Sequence, residues 1–247
     1  MTVYAFVDLD DSLFNSDRKA GPDRSRVAAV DRQGAPLSFQ SARQERFLSH
    51  VLGNGAVIVP TTGRNEAAFR RVSLGLGHSH AICSFGGLLI GPDDRPEPRW
   101  HAVVSAGVAR ERAALDGILA EITRIAAARA ADVRHSIVSD AGLGLYLSVK
   151  HNTHDEECLA GVAAELGRSL PDGWYLHLNG NNLAAMPGFL GKAKAVRWYL
   201  ENVGTDATLT LGIGDSFTDL PFMGLCDYAI TPTSHSQIFD ALTKYAR

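Results

Sequence analysis

Short apolar runs that end abruptly in polar residues alternate with amphipathic segments over the first third of the chain. Val3–Val7 and Ala56–Pro60 are two such runs, and continuous apolar runs of this length are typical of strands buried in a parallel sheet. Helices are predicted over Ser41–Leu52, where the serine can act as N-cap, and over Glu66–Leu74. With Ala81–Ser84 as a third strand, the order predicts a parallel sheet wrapped by helices.

The middle of the chain has a different pattern: one helix, two strands, one helix and two strands. The segments are Ala106–Ala131, Val133–Ser139, Gly144–Val149, Asp155–Leu170, Trp174–Leu178 and Leu183–Met186. This order predicts a compact α+β unit with an antiparallel sheet, which we place at residues 89–187. Residues 1–88 and 188–247 then form the surrounding core.

The last third returns to alternating helices and strands. Lys192–Glu201 and Leu220–Leu225 are predicted helices, and Leu209–Ile213 and Tyr228–Ile230 are predicted strands. A turn-rich stretch at residues 31–36 also predicts a small hairpin in the first third. The predicted fold class is therefore α/β, with a Rossmann-like parallel sheet core and a smaller inserted α+β cap domain.

Composition narrows the class of protein without naming a function. The hydrophobic fraction is 45%, and 24 Lys+Arg against 27 Asp+Glu give a formal charge of −3, with no basic block of the kind that nucleic-acid binders carry. Three scattered cysteines favour neither a disulfide framework nor a structural zinc site. Without a signal pattern or an apolar run of about 20 residues, we expect a cytoplasmic protein with no membrane partner, as a monomer or homodimer.

Two pairs of acids follow predicted strands, at the edge of an α/β sheet where ligands bind. Asp8 and Asp10 leave the first strand two residues apart, so both can project into one crevice. Asp215 and Asp219 follow the strand that ends at Gly214, and carboxylates of this kind are what Mg²⁺ prefers. Each pair also has an ordinary interpretation, as an acidic turn, a helix N-cap or a complement to a helix dipole.

Two further sites could act on a phosphate. Thr62 and Gly63 follow the second strand, where a hydroxyl and backbone N–H groups can bind phosphate oxygens, although turn chemistry explains them equally well. Lys192 begins a predicted helix and could neutralise a transferring phosphoryl group, although lysines cover many helix surfaces. Together, the four sites supply a nucleophile, an acid/base, charge neutralisation and a metal site for phosphoryl transfer.

In this combination the sequence resembles the haloacid dehalogenase superfamily of phosphatases. Asp8-Leu9-Asp10-Asp11-Ser12 matches the DxDx[T/S] first motif, and Thr62-Gly63-Arg64 matches the second. Lys192 matches the lysine of the third motif, and Gly214-Asp215 with Asp219 match the GDxxxD fourth motif. Asp11 stands where many relatives have glycine. The insert resembles the α/β cap of the sucrose-phosphate phosphatase, trehalose-phosphate phosphatase, phosphomannomutase and Cof-like branch.

The resemblance implies a role for each matching residue. Asp8 would be the nucleophile and Asp10 the acid/base, while Thr62 and Lys192, with Gly63 and Arg64, would bind the phosphoryl group. Mg²⁺ would be held by the carboxylates of Asp8 and Asp215 and the backbone carbonyl of Asp10, with Asp219 in support. The insert would contact the leaving group through polar residues near its strand ends. The candidates are Lys150, His151, Asn152, Asn179, Asn181 and Asn182, of which Asn182 is the one predicted to bind substrate.

These observations predict a Mg²⁺-dependent phosphomonoester hydrolase acting on a small phosphate ester, in particular a sugar phosphate. A phosphomutase of the phosphomannomutase type shares all four motifs and is the first alternative. A non-catalytic protein that binds a phosphorylated metabolite is the second.

Overall fold

Three neighbouring parallel strands end side by side in the computed structural model of the chain, which describes residues 1–53 and 55–245. The strands are β1 Thr2–Val7, β2 Asn15–Ser16, β3 Arg26–Val30, β4 Pro36–Gln40, β5 Ala56–Pro60, β6 Ala81–Cys83, β7 Leu88–Ile90, β8 Val133–Asp140, β9 Leu143–His151, β10 Trp174–Asn179, β11 Asn182–Pro187, β12 Ala207–Ile213 and β13 Tyr228–Ile230. The helices are α1 Ala42–Arg46, α2 Glu66–Phe69, α3 Pro98–Ala128, α4 Glu156–Leu166, α5 Lys192–Asn202, α6 Leu220–Met223 and α7 Gln237–Tyr245.

The chain divides into two compact units. The first comprises Met1–Trp100 and Gly191–Arg247, and the second comprises His101–Leu190. The first unit contains a parallel sheet in the order β13-β12-β1-β5. Its central strand β1 is apolar and almost fully buried, as expected for a parallel sheet covered on both faces.

The register of the parallel sheet aligns the strand ends. Val7, the last residue of β1, pairs with Ile213 at the end of β12 and with Pro60 at the end of β5. The residues that follow, Asp8, Gly214 and Thr61, therefore leave the sheet at one edge. This alignment brings the first, second and fourth predicted sites to the same edge of the sheet.

Local signals account for several boundaries. Ser41 caps α1 through a complete capping box with Gln44, after which the chain continues as a π-helical segment, Phe47–Leu52. The predicted hairpin is present as β3 paired with β4, and β2 adds a third strand. The predicted strand bounds of β5 and β13 coincide with those observed.

Other expectations for the first unit were wrong. The helix at Glu66 ends at Phe69 rather than Leu74, because Val72 bridges to Ala29 and draws the chain onto β3. Strand β6 is joined to the parallel sheet by a bridge between Thr61 and Ile82, and it pairs antiparallel with β7, which the sequence did not predict. The amphipathic helix α7 was also missed.

The second unit is an antiparallel sheet in the order β10-β11-β9-β8 with α3 and α4 packed on it. Its apolar core joins residues of both helices, such as Ile122 and Leu159, to strand residues such as Leu147 and Leu183. The one-helix, two-strand repeat predicted for this region is present. None of the helices in the described part of the chain combines the length and apolar character needed to cross a bilayer.

The boundaries of the insert differ from the predicted 89–187. The second unit runs from His101 to Leu190, so the first boundary lies in the first turn of α3. Residues 89–100 stay with the first unit because β7 pairs with β6, and because the Trp100 indole N–H donates to the Gly86 carbonyl at 2.9 Å. Pairing across a short hairpin, rather than a change of composition, sets this boundary.

Gly86 is a position where only glycine fits. Its φ is +92°, and a Cβ there would lie 2.6 Å from the carbonyl oxygen of Gly191, at the start of α5. We expect Gly86→Ala to lower the free energy of unfolding by about 1–3 kcal/mol or more, through backbone strain and this contact. Gly91→Ala, which meets only ordinary contacts in the same unit, should stay within about 0.5 kcal/mol of the parent. Urea titrations check the difference, and equal stabilities would refute it.

Candidate active site

Carboxylates from two ends of the chain converge at the aligned strand ends. Asp8 directly follows β1, and Asp215 and Asp219 lie on the loop after β12. One carboxylate oxygen from each lies within 4.8 Å of the others, and all three residues are buried. Gly214 permits this approach, because a Cβ there would lie 2.5 Å from the Asp219 side chain. Asp8 and Asp215 therefore lie close together, as the predicted metal site requires.

Lys192 is buried among these acids rather than solvated on a helix surface. It is the first residue of α5 and is 4% exposed. Its Nζ donates to Asp8 Oδ1 at 2.6 Å and to Asp219 Oδ1 at 2.6 Å. Burial by itself lowers the pKa of this ammonium, but the charges and hydrogen bonds of Asp219 and Asp8 outweigh it and raise the pKa. The lysine is therefore charged and shared between two carboxylates.

Asp219 holds the loop that carries Asp215. Its Oδ2 accepts hydrogen bonds from the backbone N–H of Asp215 at 3.2 Å, the backbone N–H of Ser216 at 3.0 Å and the Ser216 hydroxyl at 2.8 Å. Its Oδ1 is taken by Lys192. With both oxygens engaged, Asp219 supports a cation site from nearby. Sequence reasoning missed Ser216, for which the signal was a hydroxyl directly after the acid of the fourth motif.

With all three carboxylates ionised, the site would carry more negative charge than Lys192 compensates. Burial raises the pKa of Asp8 to about 7 against the effect of Lys192, and burial with the charges of Asp8, Asp219 and Asp11 raises that of Asp215 to about 9. Among residues 1–53 and 55–245, no donor is hydrogen-bonded to the Asp215 carboxylate. Three buried carboxylates against one ammonium are an oxygen-donor set that fits a hard divalent cation such as Mg²⁺.

Asp10 lies outside this carboxylate cluster and is bound by Arg64. The guanidinium donates from Nε to Asp10 Oδ2 and from Nη2 to Asp10 Oδ1, both at 2.7 Å, and lies over the Phe14 ring. This bidentate ion pair is the strong form of a charge-assisted contact. Burial by itself lowers the pKa of the Arg64 guanidinium, but the hydrogen bonds and charge of Asp10 outweigh this effect, so the pKa is raised overall. Arg64 was predicted to bind substrate, but in this structure it binds the carboxylate of Asp10, the predicted acid/base.

The second motif forms a tight turn. Thr62 is buried, and its Oγ1 accepts from the backbone N–H of Arg64 at 3.1 Å, while its own N–H donates to the Ile82 carbonyl. The Phe85 ring covers Gly63 so closely that a Cβ there would lie 2.5 Å from it. The interpretation of this stretch as turn chemistry is therefore observed, and the phosphate-binding role of Thr62 and Gly63 stays a prediction.

Asp11 and Lys19 form an ion pair beside the loop that follows β1. Asp11 stands at φ +61°, in the left-handed region that favours glycine. Its carboxylate accepts from the Lys19 ammonium at 2.5 Å and from the Asn15 amide at 3.2 Å. Sequence reasoning missed Lys19, because nothing in the spacing links a turn lysine to the first motif.

The polar residues predicted to read a leaving group all belong to the second unit. Asn182 is exposed at the start of β11. Asn181 is buried and exchanges two hydrogen bonds with the His151 backbone, and Asn152 bonds to Asp132 and Arg134. These last contacts support the folded unit, so Asn182 is the better candidate for substrate contact, which stays a prediction.

Comparison with known proteins identifies the fold. No protein-family model and no curated protein matches the chain. A sucrose-phosphatase from Synechocystis sp. PCC6803, solved in complex with sucrose and phosphate, matches with a TM-score of 0.58 and 14% identity, covering 100% of this chain and 88% of that one. The trehalose-6-phosphate phosphatase C-terminal domain of C. albicans matches with a TM-score of 0.57 and 14% identity, covering 90% and 72%.

A haloacid dehalogenase-like hydrolase from Bacteroides thetaiotaomicron matches over the whole length. Its TM-score is 0.54 and its identity 13%, covering 99% of this chain and 100% of that one. At sequence identities this low, the structural matches establish a shared fold and nothing more. The predicted haloacid dehalogenase-like fold, with a parallel sheet core and a smaller inserted unit, is confirmed.

The raised pKa values predict how stability depends on pH. The folded protein keeps protons on Asp215 and Asp8 at pH values where the unfolded chain, with pKa 3.8, has lost them. Stability without metal should therefore fall as pH rises from about 4 to about 9. Asp215→Asn should flatten this dependence, and Asp172→Asn, at an exposed carboxylate, should not. Melting curves in EDTA across this range measure the slope; a parent that gains stability with rising pH would contradict the assignment.

Proposed function

We propose that this chain, which has the haloacid dehalogenase-like fold, is a Mg²⁺-dependent phosphatase of small phosphorylated metabolites. The observation that carries the proposal is the environment of Asp8. Its carboxylate is buried at a strand end, within 4.8 Å of the Asp215 and Asp219 carboxylates and 2.6 Å from the Lys192 ammonium. A buried carboxylate beside a charged lysine and an oxygen-donor cluster suits attack on phosphorus.

The proposed reaction has two displacements at phosphorus. In the first, a carboxylate oxygen of Asp8 forms a bond to phosphorus and the bond to the leaving oxygen breaks, while Asp10 gives that oxygen its proton. In the second, water attacks phosphorus, Asp10 takes a proton from it, and the bond to Asp8 breaks. One ester and one water become one alcohol and one phosphate, and both aspartates return to their starting state.

Lys192 and the loop residues hold the reacting groups. The Lys192 ammonium fixes one oxygen of Asp8 and offers positive charge beside the phosphoryl group. Asp219 fixes Lys192 and the backbone of Asp215, so neither has to reorganise during transfer. Mg²⁺ would be held by the carboxylates of Asp8 and Asp215 and the backbone carbonyl of Asp10, and when bound it supplies charge neutralisation at the phosphoryl oxygens.

Arg64 holds the predicted acid/base away from a leaving group. The guanidinium binds both oxygens of the Asp10 carboxylate, so neither oxygen is free to exchange a proton with a substrate in this conformation. Asp10 therefore has to leave Arg64 before the first displacement. Arg64 would then be free to bind the incoming phosphate ester, which reconciles its predicted role with its position here.

A sugar phosphate is the substrate class we propose, taken up by a cytoplasmic enzyme without a nucleic-acid or membrane partner. Two proteins that share the fold are named for sucrose and trehalose phosphates, which supports this class for the present chain. A phosphomutase would return the phosphoryl group to its substrate, and a binding protein would release no phosphate. Both are distinguished by the products formed.

The decisive experiment measures phosphate release from a panel of sugar phosphates with Mg²⁺. We expect release by the parent and background rates in Asp8→Asn, which keeps the size of the side chain but removes the nucleophile. Hexose 1-phosphate converted to 6-phosphate without free phosphate would indicate the mutase instead. Release at the parental rate in Asp8→Asn would exclude Asp8 as nucleophile.

Replacing the acid/base should affect substrates unequally. Asp10→Asn removes the proton donor, so kcat for a sugar phosphate should fall by about 10²–10⁴-fold. The leaving group of p-nitrophenyl phosphate is already stable as an anion, so its first displacement needs little protonation. The burst of p-nitrophenol reports the rate of this step, and that rate should fall by a smaller factor than kcat for the sugar phosphate. Equal losses in the burst and with the sugar phosphate would contradict a role for Asp10 as general acid.

A further inference from the structure

The turn that follows β1 contains a residue in a costly backbone conformation. Asp11 has φ +61°, a left-handed conformation that aspartate adopts less readily than glycine, and mainly where its side chain finds hydrogen bonds. The turn is closed by the N–H groups of Leu13 and Phe14, which donate to the Leu9 carbonyl at 2.9 and 3.3 Å. A conformation of this kind persists where the surrounding contacts impose it, so the contacts of Asp11 matter for the shape of the turn.

The peptide group between Asp10 and Asp11 carries a proposed metal ligand, the Asp10 carbonyl. The N–H of the same peptide group, which belongs to Asp11, donates to the Phe14 carbonyl at 2.8 Å. Because a trans peptide group is planar, its C=O and N–H point in opposite directions, and the Asp10 carbonyl therefore points away from that of Phe14. A change in φ at Asp11 would rotate this plane relative to the rest of the turn. The conformation of Asp11 thus controls the direction of the Asp10 carbonyl.

Two donors hold the side chain of Asp11. Lys19 Nζ donates to Asp11 Oδ2 at 2.5 Å, and Asn15 Nδ2 donates to Asp11 Oδ1 at 3.2 Å, so both carboxylate oxygens are engaged. Asn15 is fixed in turn, because its Oδ1 accepts from Gln44 Nε2 at 2.9 Å and Gln44 belongs to the capping box of α1. The contact from Lys19 is the shorter of the two, and an ammonium bound to a carboxylate makes the stronger kind of hydrogen bond. Lys19 is therefore the main restraint on the Asp11 side chain.

We propose that Lys19 is a positioning residue of the metal site. By binding the Asp11 carboxylate, it holds the Asp10 carbonyl in the orientation in which that carbonyl would bind Mg²⁺. Lys19 acts only through Asp11 and touches neither the ion nor the substrate. The inference rests on the proposed function, because it requires the Mg²⁺ site described there.

The sign of the effect separates this role from a simple effect of charge. An ammonium repels a cation, so removing Lys19 should strengthen Mg²⁺ binding if the residue acted through its charge alone. Removing it should weaken Mg²⁺ binding if the residue acts through the backbone at Asp11. The two interpretations therefore predict opposite changes in affinity.

Mg²⁺ binding to the folded chain tests the inference without turnover. The probe is MgCl₂, titrated in a calorimeter into protein that has been freed of metal with EDTA and dialysed, with no substrate present. We expect Lys19→Met to weaken binding at least about threefold, a coupling usual within one hydrogen-bond network. Lys19→Arg should stay within about twofold of the parent, because the contact with Asp11 is neither bidentate nor stacked and needs only a cation. Lys244→Met, the same substitution at an exposed position of α7, should bind as the parent does.

A second substitution tests whether Lys19 acts through Asp11. Glycine adopts φ +61° without a side-chain partner, so Lys19→Met should no longer weaken Mg²⁺ binding when it is combined with Asp11→Gly. A loss of the same size with and without Asp11→Gly would overturn the inference, and so would unchanged or tighter binding in Lys19→Met alone. Both of these results would leave the proposed phosphatase intact. A parent that binds no Mg²⁺ would instead refute the metal site of that proposal, and this inference with it.

Discussion

One buried ammonium holds the active site together. Lys192 donates to Asp8, which follows the first strand, and to Asp219, which lies near the C-terminal end of the chain. An ion pair at this depth loses much of its Coulomb energy to desolvation, and removing either partner would leave a buried charge uncompensated. The arrangement therefore favours a site that is completed by a further cation over one that is stable alone. Asp215 is the acid that such a cation would compensate, because it is buried and its carboxylate has no hydrogen-bond donor among the described residues.

The parallel register makes this arrangement possible. Because β1, β5 and β12 end in step, loops far apart in the chain leave the sheet at one edge. Glycines at the closest approaches, Gly63 under Phe85 and Gly214 beside Asp219, let the loops pack without a Cβ between them. The backbone thus sets the distances, and the side chains only have to supply charge.

Strand β1 also divides the edge of the sheet into two sides, one toward β5 and one toward β12 and β13. Toward β5, Arg64 holds the predicted acid/base in an ion pair that must open for the proposed reaction. Toward β12 and β13, Asp11 is held by Lys19 and lines a cavity of ≈ 680 Å³. The three acids of the first motif thus bind different partners, although they are neighbours in sequence.

Most of the strand and helix order, the α/β class and the groups that could carry chemistry were predictable from the sequence, because burial periodicity and strand-end position are local signals. Strand β7 and helix α7 were missed. The sequence located Asp8, Lys192, Asp215 and Asp219 correctly as strand-end or helix-start residues. The three-dimensional packing was needed to show that Arg64 binds Asp10, that β6 pairs with β7, and that Lys19 binds Asp11. Those outcomes depend on which side chains meet across long separations, and a linear pattern carries no information about that geometry.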